Sequence, residues 1–265
     1  MSVADAASRL LPDDLDRIRR ALDTAGPILR DMAARDLTVE RKAGGDPVTE
    51  ADLAVDTVLR EQLWRDGEGW LSEETVDDRA RLDRERVWIV DPLDGTREFV
   101  TGIPEWCVSV GLVIDGEAVA GGIFNPMTGL HVVGAVGRGC WSSGVPCTVR
   151  DGSTLEGIEV LASRSETKRG EWNRFADDVF TVTPTGSVAF KFAVIAAGET
   201  DATWTLVPKN EWDVAAGVAL VRAAGGDVVL KDGTEPAFNR EDTLFPGLIA
   251  AGRERLVAIR ERLGI

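Results

Sequence analysis

Val87-Trp88-Ile89-Val90-Asp91-Pro92-Leu93-Asp94-Gly95-Thr96 is the stretch that decides how this chain is read. Four apolar residues predict a buried strand. Two carboxylates, a proline, a glycine and a hydroxyl follow at once. Pro92 fixes one backbone torsion and Asp94-Gly95 favours a tight turn, so Asp91 and Asp94 can converge at the strand's end. Close oxygen-only ligands suit Mg²⁺, with Mn²⁺ as the other candidate, rather than zinc. Thr96-Arg97-Glu98-Phe99-Val100 can open a helical turn whose N–H groups face an anion. The alternative is a plain Asp-Gly turn.

Outward from this stretch the pattern is mixed. Leu15, Ile18, Leu22, Ile28, Leu29 and Met32 recur at helical spacing over 13–35, with Gly26-Pro27 expected to kink or break the helix. Residues 36–48 read as extended chain and loop, and a second helix begins at Thr49. From Trp106 to Trp141 the residues alternate as a strand meander, with Asp115-Gly116 as a hairpin turn. These features predict helices packed on an antiparallel sheet in the first half.

The second half alternates more evenly. Strands are expected at Ile158–Leu161, Val179–Val182, near 202–206, at Val228–Leu230 and at Gly247–Ala251. Helices are expected at 165–177 (weak), 187–197, 213–224 and 253–263. The order fits layers of helix and sheet. A boundary near Val149–Gly157 would divide an N-terminal lobe, 1–150, from a C-terminal lobe, 151–265.

Composition narrows the function. The 265 residues are 44% hydrophobic and 28% charged, ordinary for a folded domain. A net charge of −15 repels nucleic acid. No apolar run approaches the ~20 residues of a membrane helix. Met1-Ser2-Val3-Ala4-Asp5 lacks signal-peptide character, so a cytoplasmic protein is expected. Cys107, Cys140 and Cys147 are an odd number without paired short spacing, which reads as structural thiols. The single histidine, His131, falls inside a strand and reads as packing. Hydrolysis would therefore run on carboxylates and metal.

Three further carboxylate sites lie near element ends. Ser72-Glu73-Glu74 follows Trp70-Leu71. Thr49-Glu50-Ala51-Asp52 opens a helix and equally resembles a capping box. Glu211-Trp212-Asp213 precedes an Ala-rich helix, where an Asp is often a cap. Together with Asp91 and Asp94 they make a shared metal centre more credible than any one does alone.

Asp46-Pro47-Val48-Thr49-Glu50-Ala51-Asp52, Ser72-Glu73-Glu74, Asp91 to Thr96, and Trp212-Asp213-Val214-Ala215-Ala216-Gly217 together resemble the inositol monophosphatase superfamily of lithium-sensitive, magnesium-dependent phosphomonoesterases. Within it, Arg97-Glu98-Phe99 and Leu206-Val207-Pro208-Lys209-Asn210-Glu211-Trp212-Asp213 look most like the bacterial CysQ-type 3′(2′),5′-bisphosphate nucleotidases. Inositol-directed relatives usually carry an acid seven residues before the last Asp, and here that position is Leu206. Ser72 stands where many relatives have Gly, with little consequence expected.

The resemblance implies a layered αβαβα sandwich, α+β in its first lobe and α/β in its second. It implies Glu73, Asp91, the Leu93 carbonyl and Thr96 at one Mg²⁺, and Asp91, Asp94 and Asp213 at a second, with Glu73 also anchoring a weaker third. Asp52 would accept from Thr96, whose hydroxyl orients the attacking water. The Gly95 and Thr96 amides would contact the phosphate. Lys42, Ser187 and Lys191 are candidate substrate contacts, and Arg97 and Glu211 are placed at the pocket rim. The implied reaction removes the 3′-phosphate of adenosine 3′,5′-bisphosphate, a step linked to sulfate assimilation. Inositol or fructose bisphosphate phosphatase activity, and a non-catalytic phosphate sensor, are the alternatives. The partner is a small phosphate ester, with no nucleic-acid polymer and no membrane. Relatives are often homodimers.

Overall fold

The computed structural model describes residues 2–35, 39–41 and 47–265. Helix α1 (Val3–Ala7) and the long α2 (Asp14–Ala33) precede a small ribbon of β1 (Val39–Arg41) and β2 (Pro47–Thr49), which leads into α3 (Glu50–Leu63). A seven-stranded sheet follows in sequence order: β3 (Gly69–Ser72), β4 (Arg86–Asp94), β5 (Cys107–Ile114), β6 (Glu117–Asn125), β7 (Leu130–Ala135), β8 (Gly139–Ser142) and β9 (Val145–Cys147). The short α4 (Thr96–Thr101) interrupts it after β4. The meander is antiparallel as the alternation predicts, except that the edge strand β3 pairs parallel with β4.

A five-stranded mixed sheet holds β10 (Glu159–Ser163), β11 (Thr181–Thr185), β12 (Ala202–Trp204), β14 (Gly226–Leu230) and β16 (Leu248–Gly252), in the order β11-β10-β12-β16-β14. β13 (Lys209–Asn210) pairs with β15 (Leu244–Phe245). The helices here are α5 (Arg164–Lys168), α6 (Val188–Ala196), α7 (Glu211–Ala223) and α8 (Arg253–Leu263).

Three apolar clusters glue five layers together. On β4, Trp88 and Val90 face α2 and α3, while Val87 and Ile89 face α6 and α7. Period-two alternation thus feeds two cores, because both faces of this sheet are covered. The cluster that takes in α6 and α7 also includes Val228, Leu230, Leu248 and Ala250 of the second sheet. Trp172, Phe175, Trp204, Leu256 and Ile259 close that sheet's outer face with α8. The fold is a layered αβαβα sandwich.

Several local expectations are corrected. Of the kink or break expected at Gly26-Pro27, the break does not occur: α2 runs from Asp14 to Ala33 with Pro27 inside it. Ile18, Leu22, Ala25 and Leu29 are all buried, so tertiary packing holds the helix across the missing hydrogen bond. The helix expected over 165–177 is only α5 and a 3-10 turn at Asn173–Phe175, separated by Gly170 at φ 77. The strand expected at Val179–Val182 begins two residues later. Among the described residues no helix is long and apolar enough to cross a membrane.

Two details place the site. α7 lies so close on the first sheet that a Cβ at Gly121 would meet the Ala216 carbonyl oxygen at 2.6 Å. That approach, in which Gly111 and Gly121 of the sheet meet Ala215 and Ala216 of the helix, brings the helix start and Asp213 towards the end of β4. At that end the β4–β5 register shifts between Asp91 and Asp94.

Candidate active site

The register shift does what a tight turn was expected to do. Residues three apart on a regular strand point to opposite faces. The irregularity around Pro92, which has no N–H to give the ladder, turns both carboxylates to one side. Asp91, Asp94 and Asp213 each bring a carboxylate oxygen within 4.8 Å of the other two. Gly95 then ends the strand at φ 97, where a Cβ would meet the Glu105 carbonyl oxygen at 2.8 Å. Only glycine fits this corner.

Each of these carboxylates is also held from behind. Asp94 Oδ2 accepts from Ser187 Oγ at 2.7 Å and from the Ala189 amide at 2.5 Å, both at the start of α6. Asp213 accepts from the Asn210 amide at 2.8 Å, so its capping reading is correct and coexists with its place in the cluster. Asp52 behaves likewise. Its Oδ2 accepts from the amide and hydroxyl of Thr49, each at 2.7 Å, closing a capping box. Its Oδ1 lies 3.3 Å from Thr96 Oγ1, which is also 3.0 Å from the Leu93 carbonyl oxygen. Glu73 lines the same cleft just past the end of β3, outside the tight trio.

Electrostatics match this crowding. Burial, followed by the charges of Glu73 and Asp94, pushes Asp91 well above the usual carboxylate range. Burial, then Asp94 and Glu73, raises Asp213 to about 8. Buried carboxylates that repel one another need an opposing charge. A donor set made only of oxygens fits a hard divalent cation.

The cleft encloses about 260 Å³, and its other walls carry Arg97, Glu98, Ser163, Arg164, Ser165, Lys191, Lys209 and Trp212. Arg97 is exposed on the rim. Lys191 is buried, with Nζ 3.3 Å from the Thr185 carbonyl oxygen, and burial lowers its pKa to about 8. Ser187 lines the cleft, but its hydroxyl serves Asp94 and accepts from the Phe190 amide at 2.9 Å. Lys42 lies outside the described residues.

Glu211 is not at the rim. It is fully buried and accepts from the amides of Asn239 and Arg240, at 2.8 and 2.9 Å. Lys209, Arg164 and Ser165 are cleft residues that the motifs did not single out. Lys209 lay within the quoted Leu206–Asp213 string, whereas Arg164 falls between the strand expected at Ile158–Leu161 and the helix expected from 165, directly after the observed β10. Glu105 has no local signal. It grips Arg164 at 2.5 Å and the Gly186 amide at 2.5 Å, tying the chain after α4 to the opposite wall.

The arrangement of buried acids at strand and helix ends is matched by comparison with known proteins. The model of the inositol monophosphatase family matches residues 13–263. The chain belongs to the inositol monophosphatase family. It is therefore read as a phosphatase, a hydrolase of that family. Inositol monophosphatase 3 of Solanum lycopersicum is 33% identical over 234 residues, covering 83% of this chain and 87% of that protein. Among solved structures, the extragenic suppressor protein suhB of Bartonella henselae superposes with a TM-score of 0.78 at 30% identity, covering 94% of this chain and 95% of that one. CysQ of Bacteroides thetaiotaomicron, described as a bacterial member of the family, gives 0.76 at 26% identity, covering 91% and 97%.

Proposed function

We propose that this family member is a Mg²⁺-dependent phosphomonoesterase acting on adenosine 3′,5′-bisphosphate, releasing the 3′-phosphate to leave AMP. The supporting observation is the basic lining of the cleft that holds the acidic trio. Arg97, Arg164, Lys191 and Lys209 line it and suit a second phosphate, and Trp212 offers a ring beside them. Leu206, where inositol-directed relatives usually carry an acid, lies on a separate cavity with Phe175 and Trp204.

Asp91, Asp94, Asp213 and Glu73 would hold the cations, with the Leu93 carbonyl and Thr96 beside them. Bound there, Mg²⁺ supplies Lewis-acid polarisation of phosphate oxygens and acidifies water. The chain's own residues do the rest. Thr96 Oγ1, donating to Asp52 Oδ1, would accept from the attacking water and relay its proton to that carboxylate. The Gly95 and Thr96 amides hold the phosphate at the start of α4. Phosphoryl transfer then rests on positioning and charge neutralisation, without a nucleophilic side chain.

Relatives such as the Thermotoga maritima fructose-1,6-bisphosphatase/inositol-1-monophosphatase, 30% identical over 244 residues, favour a second reading, a phosphatase of inositol 1-phosphate or fructose 1,6-bisphosphate. Phosphate release with Mg²⁺ separates the two. The nucleotide should exceed inositol 1-phosphate and fructose 1,6-bisphosphate in kcat/KM by at least about tenfold, or about 1.4 kcal/mol of transition-state binding. The reverse order refutes the proposal in favour of the second reading.

A further inference from the structure

Two walls of the cleft hang from one face of α3. Asp52 reaches Thr96, as described. Asp56, one helical turn further on, reaches the segment that carries Glu73. Asp56 Oδ1 accepts from Ser72 Oγ, and Oδ2 accepts from Thr75 Oγ1 at 2.7 Å. Ser72 Oγ in turn accepts from the Glu74 amide at 3.2 Å. The residues on both sides of Glu73 are thereby tied to a single carboxylate. The need for such a tie is local. β3 is the edge strand of its sheet, and past Ser72 the backbone of Glu73 is anchored by a long 3.4 Å hydrogen bond to the Val90 carbonyl oxygen.

We propose that Asp56, acting through Ser72 and Thr75, is a positioning residue that presets Glu73 for a divalent cation. The inference rests on reading the cleft as a cation site. It also gives Ser72 a role where little consequence was expected of it, since a glycine there would offer no hydroxyl. Asp56 itself is half-buried on the helix, so alanine is tolerated there by the helix and the fold.

Mn²⁺ binding by calorimetry, without substrate, is the test. Asp56→Ala should weaken binding by about tenfold or more, in line with the loss of a group that orients a metal ligand. In a Ser72→Ala/Thr75→Ala background the same change should add little, because the hydroxyls it acts through are gone. Asp56→Ala binding Mn²⁺ as tightly as wild type, or costing the same in both backgrounds, overturns the proposal. A wild-type protein that binds no Mn²⁺ overturns the cation-site reading instead.

A second observation stands apart from the cleft. Cys140 and Cys147 are cross-strand partners on β8 and β9. Partners in an antiparallel pair have Cα atoms about 4.5–5.5 Å apart, within the range of about 4.4–6.8 Å that a disulfide spans. Cys140 is buried and Cys147 half-buried at the sheet's edge. The interaction between the two neighbouring thiols holds Cys147 below the usual thiol range and pushes Cys140 up. We infer that this pair is a site of reversible disulfide formation by exchange with a small disulfide.

The Cys147 thiolate attacks one sulfur of the reagent, whose S–S bond breaks and releases one thiol. Cys140 then gives up its proton and attacks the Cys147 sulfur, releasing the second thiol. The reagent is reduced and the pair oxidised. The tryptic peptide Gly139–Arg150 carries both cysteines. After incubation with glutathione disulfide it should be lighter by two hydrogens, and Cys147→Ser should abolish this. A lasting glutathione adduct on Cys147, or a peptide that stays reduced, overturns the inference.

Discussion

Replacing Asp94 with Asn should make the metal-free protein more stable while destroying its response to Mg²⁺. Carboxylate oxygens of Asp91 and Asp213 lie within 4.8 Å of one on Asp94. At an effective dielectric of about 20, two unit charges at that separation repel by about 3.5 kcal/mol. Protonation already relieves part of this, since Asp91 and Asp213 are both raised. An Asn oxygen can still accept from Ser187 Oγ and the Ala189 amide, losing about 1 kcal/mol of charge assistance at each. The balance is a gain of about 1 kcal/mol, or about 2–4 °C in Tm for a chain of this size. In Mg²⁺ the order should invert. Wild type gains about 2.7 kcal/mol at a hundred times Kd, and the variant gains far less. Thermal unfolding in chelator and in Mg²⁺, alongside phosphate release, reads both effects. A variant less stable than wild type in chelator, or one that Mg²⁺ stabilises equally, refutes the argument.

Lys191 gives a pH signature. Its pKa of about 8 lies below its unfolded value, so the ammonium is lost as pH rises through 8. kcat/KM for an anionic substrate should fall across that window, and Lys191→Met should flatten the limb; an unchanged profile in the variant refutes the assignment. The same depression means that the folded state binds fewer protons than the unfolded one between about 8 and 10.5, so this group's contribution to stability rises with pH there. Ser187 sits at φ 51, strained for a side chain, while its hydroxyl caps α6. Ser187→Ala should cost about 1 kcal/mol through the lost cap. Ser187→Gly should cost less because it relieves the strain, and chemical denaturation would expose the opposite order. Gly95→Ala should lose about 1–3 kcal/mol and most activity, because its Cβ meets the Glu105 carbonyl oxygen and φ is positive.

Much of the fold was legible because the chain states it locally. Trp88 and Val90 alternate with Val87 and Ile89, and Asp115-Gly116 takes the positive-φ turn its residues predict. Where local rules failed, long-range packing overrode them, as at Pro27. The residues around 165–177 show the reverse. Their weak helical pattern had no continuous apolar face, and Gly170 divided it.

By itself the sequence carried the family resemblance from which the phosphatase class follows: Asp91, Asp94, Asp213, Glu73, Asp52 and Thr96 sit in the short motifs that bear it. Tertiary structure decided how they work together. It showed that Asp52 caps α3 while reaching Thr96, and that Asp213 caps α7 while joining the acidic trio, since a carboxylate has two oxygens facing different ways. It removed Glu211 from the cleft by turning it towards the Asn239 and Arg240 amides. It joined Glu105 to Arg164, Asp56 to Ser72 and Cys140 to Cys147, pairs made by strand register and helix packing. Such contacts depend on where whole elements come to rest, and burying apolar faces on both sides of a sheet settles that only when the full chain has folded.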